Sequence, residues 1–216
     1  MSDRQRLRVR EIFLSLQGEG RTTGWPTVFV RLSGCPLRCV YCDTSYAFTG
    51  GEWLSLEEIL ERVAARVVRH VTVTGGEPLA QGASRELLAR LCDRGWEVSL
   101  ETSGALPIEP LDPRVIRVMD LKTPGSGELD RNHWENLDQL RSHDQVKFVI
   151  VDRDDYRWAV EQIQHHRLAE RCEVLFSPAV PQMAARVLAD WIVADRLPVR
   201  FQIQLHKYLW GDEPGR

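Results

Sequence analysis

The residues best suited to chemistry in this sequence are three of its five cysteines. Cys35, Cys39 and Cys42 have the spacing Cys-x3-Cys-x2-Cys and follow a predicted strand. Thiolates bind iron–sulfur clusters and zinc. A structural zinc site needs a fourth ligand, but Cys92 and Cys172 fall in a predicted helix and a predicted strand. Three thiolates on a four-iron cluster leave one iron open to an outside ligand. The spacing therefore favours a cluster, with a zinc loop as the alternative.

A second candidate site is the segment Thr74–Pro78, which reads Thr-Gly-Gly-Glu-Pro and also follows an apolar run. The adjacent glycines, Gly75 and Gly76, let a ligand come close to the backbone. The Glu77 carboxylate can accept hydrogen bonds from an ammonium group. Alone, such a segment is more typical of a turn. Because it lies one strand–helix unit after the cysteines, it indicates a part of the same site.

Composition and charge exclude several classes of function. Hydrophobic residues make up 43% of the chain and charged residues 27%, as in ordinary globular proteins. A net charge of −3 argues against a nucleic-acid partner. The sequence has no run of 18 apolar residues and no apolar signal region near its polar start, so we expect no membrane partner. An odd number of cysteines, three of them clustered, indicates metal binding in a reducing cytoplasm.

Strand-like and helix-like segments alternate along the chain, which predicts a parallel sheet with crossover helices. The predicted strands are Thr27–Leu32, His70–Thr74, Glu97–Glu101, Val115–Asp120, Gln145–Val151, Cys172–Phe176 and Val199–Gln204. The predicted helices are Ser55–Arg69, Ser84–Arg94, Asp154–Leu168 and Gln182–Arg196.

The segment Thr102–Arg114 carries three prolines and leaves no room for a crossover helix. We therefore expect one α/β domain over residues 1–216, with its core at about residues 11–210. Its predicted architecture is an incomplete, TIM-like barrel of parallel strands with fewer crossover helices than usual. The chemistry of such folds lies at the carboxyl ends of the strands.

The cysteine spacing, followed by Gly-Gly-Glu, resembles the radical S-adenosylmethionine (SAM) superfamily and its partial barrel. The resemblance implies a [4Fe-4S] cluster on Cys35, Cys39 and Cys42, whose open iron binds S-adenosylmethionine. It also implies a set of cofactor contacts at the strand ends. These are Tyr41, Cys42 and Asp43 beside the cluster, Gly76 and Glu77 at the methionine amino group, Ser103 at the ribose, and Lys122.

Further segments resemble the 7-carboxy-7-deazaguanine synthase family in particular. They are Leu16–Gly20, which reads Leu-Gln-Gly-Glu-Gly, then Arg31, the segment Cys35–Thr44, and the carboxyl-terminal Gln204–Leu209. The resemblance extends from residue 11 to about residue 210. It implies a lyase that converts 6-carboxy-5,6,7,8-tetrahydropterin to 7-carboxy-7-deazaguanine with loss of ammonia, in the biosynthesis of queuosine and other 7-deazapurines.

The same resemblance implies roles at the substrate. Arg31 would form a charged bond with the substrate carboxylate. Thr44 would bind a Mg²⁺ ion that also contacts the substrate, its shell completed by substrate oxygens and water. The remaining substrate contacts would be Leu16, Gln17, Gly18, Glu19, Thr74 and His206, with Glu19 accepting from the guanidine-like part of the ring.

Two other functions remain open at this point. A glycyl-radical activating enzyme has the same cysteine spacing, although the Leu16–Gly20 and Gln204–Leu209 segments favour the pterin enzyme. A zinc-binding module is the non-enzymatic alternative. The family also implies a flavodoxin-like or ferredoxin-like electron donor and a homodimer. The chain continues beyond the family-like segment, from Trp210 to Arg216, so a contact between its terminal carboxylate and the substrate is left open.

Overall fold

The computed structural model describes residues 5–211, 213 and 215, so residues 1–4 and part of the tail beyond Trp210 lie outside the described residues. Its strands are β1 (Arg6–Leu16), β2 (Pro26–Leu32), β3 (Glu52–Ser55), β4 (His70–Gly75), β5 (Glu97–Thr102), β6 (Ile116–Asp120), β7 (Gln145–Ile150), β8 (Glu173–Pro178) and β9 (Arg200–Phe201). Its α-helices are α1 (Leu56–Ala64), α2 (Ser84–Asp93), α3 (Arg153–His165), α4 (Leu168–Arg171), α5 (Ala185–Asp195) and α6 (Leu205–Trp210).

All strands belong to one nine-stranded sheet with the order β3-β1-β2-β4-β5-β6-β7-β8-β9. Neighbouring strands are parallel from β2 to β9, and β1 runs antiparallel to both β2 and β3. Within the described part of the chain, β3 and β9 each pair on one side only, so the sheet stays open. The predicted incomplete, mostly parallel α/β barrel is confirmed.

Two strands were absent from the predicted set. β1 alternates exposed arginines with the buried Leu7 and Val9, but the pairing register shifts between Val9 and Glu11, which interrupts its pattern. β3 is only four residues long. Both pair at the antiparallel end of the sheet, where short or irregular strands are common. They extend the sheet past β2, beyond the strand that precedes the cysteines.

Helices α1, α2, α3 and α5 lie largely where they were predicted. At α1, Ser55 and Glu58 form the expected capping box, and Ile59, Leu60 and Val63 are buried. α1 ends at Ala64, earlier than predicted, because the chain turns before β4 with Val67 in a left-handed conformation (φ 47°). α5 begins at Ala185, since the preceding residues form a separate turn closed by the Met183 N–H and the Ala179 carbonyl at 2.8 Å.

The proline-rich connection from β5 to β6 contains no α-helix, as expected. Its apolar side chains, including Ile108 and Val115, are buried in the position that a crossover helix would otherwise cover. Arg117 of β6 is only 1% exposed, and its guanidinium binds Asp144 at 2.6 Å and Glu109 at 2.8 Å. This paired charge ties the irregular connection to the sheet. No helix among the described residues is long and apolar enough to cross a membrane.

Candidate active site

A single pocket at the carboxyl ends of the parallel strands gathers most of the predicted site residues. Those that line it are Leu16, Gln17, Glu19, Arg31, Cys35, Cys39, Tyr41, Cys42, Asp43, Thr44, Thr74, Gly76, Ser103, Lys122 and His206. Strand register explains part of this convergence, because Arg31 of β2 pairs with Thr74 of β4 at the ends of two adjacent parallel strands. Gly18 and Glu77 are buried beside the pocket but do not line it.

The cysteine loop between β2 and β3 is fixed to its surroundings by backbone hydrogen bonds. The Gly34 N–H donates to the Ala47 carbonyl at 2.8 Å, and the Val40 N–H donates to the Ser126 carbonyl at 3.0 Å. Cys35, Cys39 and Cys42 are free thiols, each partly exposed toward the pocket. Burial raises the pKa of Cys35 and of Cys39, so both thiols favour the neutral form until a metal takes the place of the proton.

The arrangement of these thiols fits an iron–sulfur cluster better than a zinc ion. Among the residues that the structure describes, no three His, Cys, Asp or Glu side chains converge closely enough to hold one metal ion. Zinc needs all its ligands within about 2.3 Å of one centre, whereas a cluster binds each thiolate to a separate iron. The backbone beside the thiols is also closely packed, because a Cβ on Gly76 would overlap the Gly34 carbonyl and contact Cys35.

The Glu77 carboxylate is fully engaged in hydrogen bonds within the protein. Its carboxylate is fully buried and accepts hydrogen bonds from the backbone N–H groups of Leu79 (2.9 Å) and Ser103 (2.7 Å). It also accepts from the hydroxyls of Thr102 and Ser103. These bonds join the end of β4 to the end of β5. In this structure Glu77 holds the two strand ends together, and its contact with the cofactor amino group stays a prediction.

The other predicted cofactor residues surround the cluster loop. The Tyr41 hydroxyl is buried and has no hydrogen-bond partner in the described part of the chain. Burial would lower the pKa of Lys122, but Asp120, whose carboxylate lies 2.8 Å from its ammonium, holds that pKa above its ordinary value. Lys122 is therefore a cation in the pocket. Asp43 accepts from Gln204 at 2.6 Å and Lys207 at 3.0 Å, which joins the cluster loop to α6.

The Leu16–Gly20 segment forms the loop after β1, and Gln17 organises it. The Gln17 side-chain oxygen accepts the N–H groups of Gly18 at 2.9 Å and Glu19 at 3.3 Å. Its amide donates to Thr72 at 3.0 Å. Gln17 therefore fixes the loop from within, and its predicted contact with the pterin is untested. His206 packs directly over Gly18, and the Leu205 N–H donates to the Gly18 carbonyl at 3.1 Å.

Arg31 is oriented by Glu11, a residue that was not among the predicted site residues. Glu11 of β1 accepts from Arg31 Nε at 2.7 Å and from the Tyr46 hydroxyl at 2.7 Å. Arg31 lines the pocket, whereas Glu11 does not. This pairing uses one edge of the guanidinium and leaves its terminal nitrogens for a carboxylate. Thr44 lies two residues before Tyr46, with its hydroxyl 3.9 Å from Cys42 Sγ.

Several charged residues of the pocket were not among the predicted site residues, among them Glu101, Asp120 and Lys147. Lys147 of β7 forms ion pairs with Glu19 at 3.0 Å and Asp120 at 3.5 Å. The Glu101 carboxyl accepts from Thr74 at 2.9 Å, and burial raises its pKa. One signal for Lys147 exists in the sequence, since a lysine within the apolar strand Gln-Val-Lys-Phe-Val-Ile is unusual.

Comparisons with known proteins agree with this geometry. Residues 29–119 match the family described as the Radical SAM superfamily. The chain is 44% identical to a 7-carboxy-7-deazaguanine synthase from Chlorobaculum tepidum, an alignment that covers 99% of this chain and 98% of the relative. It is 41% identical to the enzyme of that name from Koribacter versatilis, over 96% and 98% of the two chains. In fold it is similar to the crystal structure of QueE from Escherichia coli, with a TM-score of 0.73, 23% identity and coverage of 95% and 99%.

Proposed function

The chain belongs to the 7-carboxy-7-deazaguanine synthase family of the radical SAM superfamily. We propose that the pocket at its strand ends carries out the reaction of this family, with the residue roles given below. The enzyme converts 6-carboxy-5,6,7,8-tetrahydropterin to 7-carboxy-7-deazaguanine with loss of ammonia, a step in queuosine and 7-deazapurine biosynthesis. A [4Fe-4S] cluster and S-adenosylmethionine are its cofactors. The relatives leave no support for a glycyl-radical activating enzyme or a zinc module.

The observation that carries this proposal is the meeting of two groups of residues in one pocket. The three cysteines enter from the loop after β2, while Glu19, Arg31 and His206 enter from the loop after β1, from β2 and from α6. When bound, the cluster and S-adenosylmethionine supply a carbon-centred radical that removes a hydrogen atom from the substrate. The protein has to hold the pterin ring beside them and keep water away.

Arg31 and Glu19 have complementary parts in orienting the substrate. The terminal nitrogens of Arg31, its Nε being held by Glu11, take the carboxylate in a paired, charge-assisted contact. Glu19 accepts from the amino and ring N–H groups at the guanidine-like end of the pterin. Two opposite charges at opposite ends of the bicyclic ring system fix its position and its direction in the pocket.

We assign the remaining roles in the same way. Thr44 contributes one hydroxyl to Mg²⁺, which the substrate and water complete. Thr74 and His206 contact the pterin, whereas Tyr41, Asp43, Gly76, Ser103 and Lys122 belong to the cofactor side, where Glu77 holds the ends of β4 and β5 together. The Asp43 contacts to Gln204 and Lys207 keep α6 closed over the cavity and exclude water. A flavodoxin-like or ferredoxin-like protein supplies electrons, the enzyme works as a homodimer, and it works in the cytoplasm.

Anaerobic turnover tests the proposal directly. Reduced, cluster-loaded enzyme is incubated with 6-carboxy-5,6,7,8-tetrahydropterin, S-adenosylmethionine and Mg²⁺, and products are followed by absorbance and mass. We expect 7-carboxy-7-deazaguanine and ammonia in equal amounts. An Arg31→Met variant should need far more pterin, whereas Arg62→Met, which changes an arginine outside the pocket, should behave as wild type. Cleavage of S-adenosylmethionine without any deazapurine would reject the proposed substrate.

A further inference from the structure

The pocket contains a largely buried array of four charged side chains, which links its substrate side to its cofactor side. Lys147 Nζ lies 3.0 Å from Glu19 Oε2 and 3.5 Å from Asp120 Oδ1. Asp120 Oδ2 in turn accepts from Lys122 at 2.8 Å. The four side chains come from the loop after β1, from the end of β6 and the residues that follow it, and from β7. Their charges therefore meet only because the barrel brings these segments together.

Lys147 is held in its charged form by this environment. Burial would lower its pKa, but the carboxylates of Asp120, Glu19 and Glu101 raise that pKa well above the ordinary value. Filling space in the barrel does not require three carboxylates around a lysine, so this arrangement indicates a role for the charge of Lys147. Lys147 is thus a fixed cation on the pocket wall, with its charge already compensated before any ligand enters.

Among the described residues, one carboxylate oxygen of Glu19 accepts a hydrogen bond from the protein and the other does not. Oε2 accepts from Lys147, while among residues 5–211 no hydrogen bond reaches Oε1. Its side chain is 12% exposed and lines the pocket. A carboxylate with one oxygen fixed by an ammonium offers the other in a defined direction. Without Lys147, the Glu19 carboxylate loses the donor that fixes it and turns to another one, so the direction of its free oxygen is lost.

We propose that Lys147 is a positioning residue, which holds Glu19 so that its free oxygen accepts the guanidine-like end of the pterin. This inference rests on the proposed function, because the pterin supplies the donors that Glu19 accepts. Lys147 does not touch the substrate in this assignment and acts through Glu19. Its contact with Asp120 is longer than a hydrogen bond and contributes charge compensation, while Lys122 makes the direct bond to Asp120.

A double-mutant cycle tests the proposal with Lys147→Met, Glu19→Gln and the double variant. Lys147→Met should raise the KM for the pterin about tenfold or more, the loss of one hydrogen bond to a charged group, with the KM for S-adenosylmethionine unchanged. The double variant should be no worse than the poorer single variant, because both changes remove one contact. Lys147→Arg, which keeps the cation, should recover part of the loss. Arg62→Met, which removes an exposed ion pair of 3.1 Å, is the control and should leave both KM values unchanged.

The same cycle is also measured by thermal unfolding of ligand-free protein. This second measurement separates a failure of the positioning role of Lys147 from a failure of the proposed function. Coupled unfolding together with a raised pterin KM supports the positioning role. Additive effects on KM, or a normal pterin KM in Lys147→Met despite coupled unfolding, would overturn it and leave a structural ion pair. A wild-type enzyme that makes no deazapurine rejects the proposed function instead. The unfolding cycle needs no substrate and then still decides whether Lys147 fixes Glu19. If Lys147→Met does not fold, Lys147→Gln takes its place in the cycle.

Discussion

Replacing Glu77 by Gln separates a structural role of this motif glutamate from a direct contact with the cofactor. Glu77 Oε1 accepts from the Leu79 N–H, and Oε2 accepts from the Ser103 N–H. A glutamine of the same shape has only one acceptor oxygen. Whichever way its amide turns, the NH₂ group faces one of these two backbone donors, so one buried N–H loses its partner.

The cost follows from the bonds that are lost. An unsatisfied buried donor costs about 1–3 kcal/mol, and the remaining bonds to Glu77 weaken because their acceptor is no longer charged. We expect a total destabilisation of about 2–3 kcal/mol. In a chain of this length each kcal/mol lowers Tm by about 2–4 °C, so Tm should fall by about 4–12 °C. Glu86→Gln makes the same chemical change at an exposed position of α2 and should stay within about 0.5 kcal/mol of wild type.

The assay is calorimetric unfolding of the metal-free protein, followed by S-adenosylmethionine binding to the cluster-loaded protein. The structural role predicts a lowered Tm before any cofactor is present, with a modest loss of affinity. A direct contact with the amino group predicts the reverse: an unchanged Tm and an affinity lowered by tenfold or more. That second result would refute the structural role that the buried hydrogen bonds of Glu77 indicate.

Three further variants test individual residues of the pocket. Cys35→Ser should isolate anaerobically with little iron or sulfide, because one cluster ligand is lost, while Cys92→Ser should keep both; equal iron contents would contradict the assignment of the ligands. Thr44→Ala should weaken the response of activity to Mg²⁺ and leave the cluster absorption unchanged, so a loss of iron would show that Thr44 supports the cluster instead. Glu11→Ala should raise the KM for the pterin about tenfold by releasing Arg31, with Glu11→Gln nearer to wild type; identical values for the two would disprove orientation through the Glu11 oxygen.

The parts of the site that could be predicted from the sequence are those in which neighbours in sequence are neighbours in space. The cysteine loop, the segment at Gly76 and the residues around Ser103 and Lys122 each follow a strand. Because parallel strands end at one edge of the sheet, their ends had to converge. The open barrel was predictable for a similar reason, since the prolines between β5 and β6 excluded one crossover helix.

The charge array could not be predicted in the same way. Glu19 was predicted as a substrate contact, and a lysine within an apolar strand is unusual, but nothing in the sequence shows that Glu19, Asp120 and Lys147 are neighbours. Asp120 of β6 and Lys147 of β7 reach the same pocket wall as Glu19 only because their side chains point into the pocket. Glu11 was missed because its strand, β1, was not predicted. In the structure β1 runs antiparallel to β2 and places Glu11 opposite Arg31. Errors in strand assignment thus became errors in the site.

The two glycines of the Gln-Gly-Glu-Gly segment have different physical roles. Gly20 has φ 72°, a left-handed conformation that favours glycine. Gly18 does not have a positive φ, but a Cβ at this position would overlap the ring of His206. Gly18 therefore leaves room for the His206 ring, which packs directly over the loop. A side chain at position 18 would displace the His206 ring from this position, so the glycine near the start of the chain is explained by a residue of the last helix.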